Sequence, residues 1–164
     1  MADFQTDVLD HLARVVGGTV TTYDAAFFSG DKVGDATGVS GLKGCYSKAP
    51  RALAVSTPVA IVMPGPFSAE LMGGQGKEFN EDEVKILVLV APYDNKSQMG
   101  VLTPYRDSVP AAFRAHMQAY SIPDGLDAWI VSGRAGVHEY AGTDYLAWEF
   151  TCRVRRLLNV IYAA

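Results

Sequence analysis

The side chains best able to do chemistry are three histidines and two cysteines. His11, His116 and His138 stand apart, and neither His11 nor His116 has a carboxylate or cysteine three or four residues later that would complete a metal pair. Cys45 and Cys152 match no CxxC or Cys/His spacing, and Cys152 is predicted to be a buried small hydrophobe. These residues therefore predict no catalytic or metal centre.

Two further patterns resemble binding motifs but lack their essential parts. Glu81, Asp82 and Glu83 are adjacent, whereas a calcium loop alternates its acidic ligands and contains a glycine, so the run is typical of a solvated turn. The string GDKVGDATGVSG lacks the GK[ST] ending and the strand-to-helix context of a phosphate-binding loop. We therefore expect a protein that is not an enzyme and uses no cofactor.

Arg153, Arg155 and Arg156 form a dense basic cluster. Because side chains alternate along a strand, Arg153 and Arg155 are predicted to share one face, while Cys152 and Val154 point to the core. That face is either a solvated surface with protective charge or an electrostatic contact with an acidic neighbouring subunit or with DNA. The formal net charge of -4 argues against DNA binding through the overall field of the protein.

The composition indicates what kind of protein must position these residues. A chain of 164 residues that is 49% hydrophobic and 20% charged is typical of one folded domain with a real core. No apolar run approaches the roughly 18 residues of a membrane span, and the first residues include acids but no apolar signal region. The two cysteines suit a reducing compartment. We expect a protein that stays inside the cell or in a particle assembled there.

Helical periodicity predicts about three helices. Residues 3–16 have apolar side chains at helical spacing and are followed by a glycine pair. A second helical pattern begins at Asn95, but Gly100 and Pro104 must kink or split it. A third helix is predicted with Pro110 in its first turn.

Alternating apolar residues predict strands between and after these helices. A strand at 58–64 is expected to stop at Pro64-Gly65-Pro66, with 67–72 on a second strand. Residues 83–92 predict a central strand that begins half exposed and ends buried on both sides. Three further runs follow at 126–133, 136–140 and 144–158. The expected fold is α+β, a single domain over 1–164 in which a mostly antiparallel sheet packs against about three α-helices.

Two glycine-rich segments are the candidate interface loops. One is a long loop at about 24–44, and the other is a tip at about 67–82. Loops that become ordered on a neighbouring subunit are a common way to form an interface, although both could instead be surface loops without a role. The candidate interface residues in these segments are Phe27, Phe28, Phe67, Lys77 and Phe79.

The stretch GVHEYAGTDYLAWEF predicts a hairpin that turns at residues 141–144. Its apolar residues are expected to form cross-strand aromatic pairs that set the register and anchor the helices. The hairpin is therefore interpreted as scaffolding. The residues concerned are Val137, Tyr140, Tyr145, Trp148 and Phe150.

The order and spacing of three segments resemble the tail terminator (tail-completion) proteins of long-tailed bacteriophages. The segments are SKAPRALAVSTPVAIVMPG, VKILVLVAPYDNKSQMGVL and GVHEYAGTDYLAWEFTCRV, which together span roughly Lys48 to Val154. The chain departs from the family pattern in the glycine-rich insert at 24–44. It also departs at Gly100 and Pro104, where the helix of the family is usually smooth.

The resemblance implies a virion protein without enzymatic activity, assembled in the host cytoplasm. Such a protein forms a ring, typically a hexamer, on the last ring of the tail tube, ends tube polymerisation and joins the tail to the head. The implied partners are further copies of the chain, the tail tube protein and a head-side connector or stopper, without a membrane. Contact with DNA in the channel would involve Arg153 and Arg155. The alternatives are another connector component, such as an adaptor or stopper, and a small-ligand-binding or enzymatic α+β domain.

Overall fold

The computed structural model of the protein describes residues 4–17, 42, 44–53, 57–73, 76–94, 99–116 and 125–159. The loop expected at about 24–44 lies almost wholly outside these ranges. Phe27 and Phe28, two of the candidate interface residues, lie outside them as well.

Five strands form one mixed sheet. Their order across the sheet is β1-β2-β3-β5-β4. β1 is parallel to β2, and the other neighbours are antiparallel. The strands are β1 (Gly44–Tyr46), β2 (Val59–Met72), β3 (Lys77–Pro92), β4 (Gly125–Tyr140) and β5 (Thr143–Asn159).

Two helical segments accompany this sheet in the described part of the chain. A π-helical turn, Gln5–Leu9, leads into α1 (Asp10–Gly17), and a 3-10 turn, Met99–Leu102, leads into α2 (Thr103–His116). The predicted N-terminal helix is confirmed, and its apolar side is buried. The expected fold class is wrong, because most of the described chain is a five-stranded mixed β-sheet with two short helices.

The error in the helix count comes from Pro110. This residue lies inside α2 and not in the first turn of a separate helix, so the second and third predicted helices share one continuous α2. A proline inside a helix removes one backbone hydrogen bond and crowds the preceding turn. Val109 and Phe113 are buried on either side of it, and burial of such side chains offsets part of that cost.

A second correction concerns β2, which continues through Pro64-Gly65-Pro66 instead of stopping there. Its register with β3 shifts between Pro64 and Phe67, so the prolines lie in a bulge. β1 pairs only with residues 59–61, so the outer edge of β2 beyond them has no partner strand among the described residues, and a missing proline N–H is tolerated. Gly65 is required, because a Cβ there would lie 2.7 Å from the backbone oxygen of Glu83.

The pairing of β2 with β3 also shows that the segment at about 67–82, predicted as a glycine-rich tip, is mostly strand. Residues 67–72 belong to β2 and residues 77–82 belong to β3, so only the short connection between them is a turn. We call residues 67–82 the hairpin end. It is a paired ribbon rather than a flexible loop.

β4 and β5 form the second long hairpin. The runs predicted at 126–133 and 136–140 belong to one strand, with a bulge between Ile130 and Ser132. The predicted turn is confirmed and is shorter than expected. Ala141 and Gly142 have φ angles of 52° and 82°, and two successive positive values are typical of a two-residue type I′ turn.

The sheet has two different faces. The helix face carries α1, α2 and the larger core, which includes Val84, Ile86 and Val88 of β3. The open face carries a smaller core around Leu87 and Leu89, with partly buried tyrosines packed against it. The prediction that β3 is a central strand buried on both sides is confirmed, although helices cover only one of them.

Candidate interaction surfaces

The hairpin end exposes large apolar side chains. Phe67 is 71% exposed, Leu71 is 60% exposed and Met72 is 43% exposed. All three belong to paired β2, so backbone hydrogen bonds to β3 hold them in place. The hairpin end is therefore a rigid ribbon that exposes apolar side chains, with Phe67 and Leu71 on its helix face and Met72 on its open face.

Three of the predicted interface residues lie on this hairpin end. Phe67 pairs with Asp82, Lys77 with Met72 and Phe79 with Glu70. Directly opposed residues of antiparallel strands share a face, which places Phe67 on the helix face and both Lys77 and Phe79 on the open face. The structure thus brings the three onto one ribbon but divides them between its two faces.

The candidate interface residues predicted from the sequence do not include Leu71, although its side chain is exposed. Leu71 lies four residues after Phe67 and on the same face of β2. The signal was present in the alternation of Phe67, Ala69 and Leu71. The prediction of a strand at 67–72 is consistent with this alternation, whereas the prediction of a glycine-rich tip at 67–82 gives it no weight.

Arg153 and Arg155 lie together on the open face, as predicted, and both are paired within the chain. The Nε of Arg153 lies 3.3 Å from Glu81 Oε1, and a terminal nitrogen lies 3.7 Å from Glu83 Oε1. Arg155 donates two hydrogen bonds to Asp127, the one from Nε at 2.7 Å, and these bonds raise the pKa of its guanidinium. We call this set of residues the ion-pair strip.

The ion-pair strip continues to one further pair and an aromatic ring. Lys85 Nζ lies 3.8 Å from Glu149 Oε1, and the guanidinium carbon of Arg155 lies 5.1 Å from the centre of the Trp129 ring. Carboxylates of the same chain thus balance the cations, and little positive charge remains for DNA phosphates or an acidic partner.

Two of these carboxylates, Glu81 and Glu83, come from the acidic run at 81–83. This run is part of β3, so its interpretation as a solvated turn is wrong. Glu81 is opposite Arg155 and Glu83 is opposite Arg153 in the register of β3 with β5. Two oppositely charged runs, one on each of two predicted strands, were the signal for this pairing.

Arg156, the third arginine, points to the helix face and is only 7% exposed. A terminal nitrogen lies 3.4 Å from Asp82 Oδ2, and the guanidinium carbon lies 5.5 Å from the centre of the Phe4 ring. Burial raises the pKa of the Asp82 carboxyl, and the charge and hydrogen bond of Arg156 oppose this shift. This pair therefore joins β3, β5 and the N-terminal residues inside the protein.

The aromatic side chains of the β4–β5 hairpin do not form the expected cross-strand pairs. Trp148 and Phe150 lie on one strand and stack with ring centres 5.3 Å apart. Their partners on β4 are Ala135 and Gly133, and a Cβ on Gly133 would lie 2.8 Å from the Phe150 ring. Anchoring of a helical segment is confirmed, because Trp148 Nε1 donates a 2.7 Å hydrogen bond to the carbonyl of Leu102.

The remaining chemical groups fit a structural role. Both cysteines are buried, as predicted for Cys152, and burial raises the pKa of each thiol well above its ordinary value. Within the described ranges, no three His, Cys, Asp or Glu side chains form a group that could hold a metal ion. Among the helices of those ranges, none has the length and apolar character to cross a bilayer. No family model matches the chain, and no curated protein shows a significant match to it.

Proposed function

We propose that the protein is the tail terminator of a long-tailed bacteriophage. It forms a ring that caps the tail tube, ends tube polymerisation and presents the surface that joins the tail to the head-side connector. The observation that carries the proposal is the rigid apolar surface of the hairpin end. The resemblance of the segments between Lys48 and Val154 to tail terminator proteins supports it.

The exposure of the hairpin end favours a protein that functions in an assembly. Phe67 and Leu71 are both more than half exposed and lie on one face of β2, with Ala69 between them. Soluble monomers rarely expose large contiguous apolar patches, because covering such a surface is worth about 25 cal/mol per Å². An assembled subunit gains this free energy when a neighbouring chain or the tube covers the surface.

The two sides of the sheet also suit a ring. A ring is built from head-to-tail contacts, in which each subunit offers two different surfaces to its neighbours. β2 lies toward one side of the sheet and β4 forms the opposite edge, and their side chains and bulges differ. The proposal assigns no DNA contact to Arg153 or Arg155, because both are paired with carboxylates of their own chain.

The test is the mass of the full-length protein by native mass spectrometry, alone and with its cognate tail tube protein. We expect a closed ring, either free or formed on the end of the tube, and negative-stain images with a cap on the tube. A variant with Phe67→Ser is expected to reduce this association. Val101→Ser is the matched control, because Val101 is 43% exposed and lies in the 3-10 turn before α2, on neither β2 nor β4.

Two outcomes would contradict the proposal. A protein that stays monomeric at high concentration and does not bind tube protein is not a tail terminator. Binding to the portal-side rings instead of the tube would make it an adaptor or stopper.

A further inference from the structure

A groove of about 310 Å³ lies between α2 and the edge strand β4. Its lining includes the aromatic rings of Trp148 and Phe150 from β5. Arg106 and Arg114 line it from α2, and Val131 lines it from β4. Val131 is the extra residue of the β4 bulge. Its apolar side chain is 43% exposed at the edge of the sheet.

The rim of this groove carries positive charge. Arg114 is exposed and has no acidic group within 4 Å in the part of the chain that the structure describes. Among the described residues, Arg106 pairs only with the adjacent Asp107, at 3.1 Å, and both side chains are well exposed. Exposed pairs of this kind contribute little free energy. The groove therefore favours an occupant that combines an apolar side chain with a carboxylate.

We infer that this groove binds the hairpin end of a second copy of the same chain. The hairpin end offers Phe67 and Leu71 on its helix face, and Glu78 lies opposite Leu71 on that face. Glu78 forms no ion pair with any other described residue. The inference rests on the proposed function, because it names the contact between adjacent subunits of the ring.

The size of the groove and the charge of its rim both fit the hairpin end. A cavity of about 150 Å³ is enough to bind a benzene ring, so the groove has room for the phenyl group of Phe67. The carboxylate of Glu78 complements the guanidinium groups of Arg106 and Arg114 at the rim. Charge complementarity of this kind sets the register of an interface and disfavours incorrect partners.

The hairpin end cannot reach the groove of its own chain. β3 and β5 lie between β2 and β4, and three strand spacings of about 4.8 Å separate the outer strands by roughly 14 Å. The intervening ladders are hydrogen-bonded along most of their length, so the sheet does not fold back on itself. The contact is therefore between copies and runs head to tail, which gives a ring when the rotation closes.

Cysteine cross-linking tests this geometry directly. The variant carrying both Leu71→Cys and Val131→Cys is treated with a mild oxidant and analysed on a denaturing gel without reductant. We expect a ladder of covalent oligomers, because residue 71 of each copy lies against residue 131 of the next. The native cysteines are buried, so they do not contribute to the ladder.

The single-cysteine variants are the matched controls. Leu71→Cys alone and Val131→Cys alone should stay monomeric on the gel, and an equal mixture of the two should give covalent dimers but nothing longer. Dimers from Leu71→Cys alone would mean that two hairpin ends pack on each other, which would overturn the inference. A thiol at position 71 that a bulky reagent cannot reach in the monomer would also overturn it, because the same chain would then cover the hairpin end.

A charge swap supplies an independent test that leaves the fold intact. Arg114→Glu and Glu78→Arg are each expected to weaken self-association by about tenfold or more, because like charges then face each other. The variant carrying both changes should recover most of the lost affinity. Arg134→Glu is the control, since Arg134 is an exposed arginine on the open face of β4. Equal weakening in the control, or no recovery in the double variant, would overturn the inference.

Failure of this inference can be separated from failure of the proposed function. Rings that cap tail tubes but give no cross-link between positions 71 and 131 would leave the proposed function standing and exclude this contact. A cross-linked ladder in a protein that ignores tube protein would support the contact and exclude the tail terminator.

Discussion

Arg153 and Arg156 lie three residues apart on β5 and point to opposite faces of the sheet. Arg153 belongs to the ion-pair strip, where its partners Glu81 and Glu83 lie at 3.3 and 3.7 Å and all three side chains are about one-third exposed. Arg156 lies 3.4 Å from Asp82, and both of these side chains are less than one-tenth exposed. Arginine and carboxylate side chains on the same two strands thus form one solvated set and one buried pair.

The difference shows that the geometry of an ion pair does not by itself determine how much the pair contributes to the free energy of unfolding. Solvent screens the ion-pair strip, and such pairs typically contribute about 0 to 1 kcal/mol each. Removal from water penalises both ions of the buried pair, and their attraction only partly offsets this penalty. The raised pKa of the Asp82 carboxyl reflects that balance, since burial is its largest cause. The strip balances the charges of Arg153 and Arg155 on the open face, whereas the buried pair holds Phe4 against the sheet.

The largest effect is expected from Arg156→Ala. This change leaves the carboxylate of Asp82 buried without a counter-charge, and the free energy of unfolding should fall by about 3 to 5 kcal/mol. Urea unfolding of the purified variant at neutral pH measures the loss. Arg153→Ala is the matched comparison on the open face, and we expect a loss of at most about 1 kcal/mol for it.

A double variant separates the cost of an unpaired charge from the loss of packing. With Arg156→Leu and Asp82→Leu together, no buried charge remains, so stability should return to near the wild-type value or exceed it. If Arg156→Ala cost no more than Arg153→Ala, the distinction between the two faces would be wrong.

The next largest effect is expected from Phe4→Leu. The change keeps an apolar side chain but removes the ring that lies 5.5 Å from the guanidinium carbon of Arg156. We expect a loss of about 1 to 2 kcal/mol, since the cation–π interaction is shielded from water. Thermal unfolding measures this loss of stability, and Trp129→Leu on the open face is the control. An identical loss in a background that carries Arg156→Leu would show that the cation is not involved.

Asp82→Asn tests the pKa of the buried carboxyl. Burial raises this pKa above its ordinary value of 3.8, so the folded protein binds the proton more readily than the unfolded chain. The stability contributed by the protonated carboxyl is complete below 3.8 and is lost as the pH rises through the raised pKa. The wild-type free energy of unfolding, minus that of the variant, should therefore fall across this window.

Denaturant unfolding of both proteins at a series of pH values measures that difference. A difference that instead increased with pH would show that the attraction of Arg156 exceeds the cost of burying Asp82. The buried pair would then resemble the ion-pair strip.

The smallest effect is expected for the coupling between Arg153 and Glu81. A double-mutant cycle with alanine at both positions should give about 0.2 to 1 kcal/mol, because solvent screens the pair. The coupling should decrease as salt is added, since the Debye length shortens to about 3 Å at 1 M. The same cycle on Arg156 and Asp82 should respond much less to salt. Equal salt responses would remove the contrast between the two faces.

Several elements could be predicted from local pattern alone. The apolar side of the N-terminal helix, the central position of β3 and the alternation of β5 follow from the helical and strand periods. The turn at Ala141 and Gly142 also follows, since few sequences tolerate two successive positive φ angles. For the candidate site, the periodicity placed Arg153 and Arg155 on one face of their strand.

Other features depended on contacts between distant segments. Pro110 was expected to start a helix, and Pro64 and Pro66 were expected to end a strand. α2 nevertheless contains Pro110, because buried neighbours on both sides stabilise it. β2 continues through its prolines because the bulge lies beyond the short reach of β1. Local propensity is a weak term. The burial of Val109 and Phe113 exceeded it in α2, and the pairing with β3 on both sides of the bulge exceeded it in β2.

The sequence by itself determined which side chains alternate, which segments are apolar and where the tightest turn lies, because backbone geometry imposes these periods on each segment separately. The tertiary structure alone decided that the 81–83 run lies beside the arginine cluster, that Arg156 is buried and that α2 and β4 enclose a groove. The first two features require segments about 70 residues apart to become neighbours, and the groove requires α2 to pack beside β4. Which segments become neighbours depends on the strand order, and the burial of both faces of the sheet sets that order.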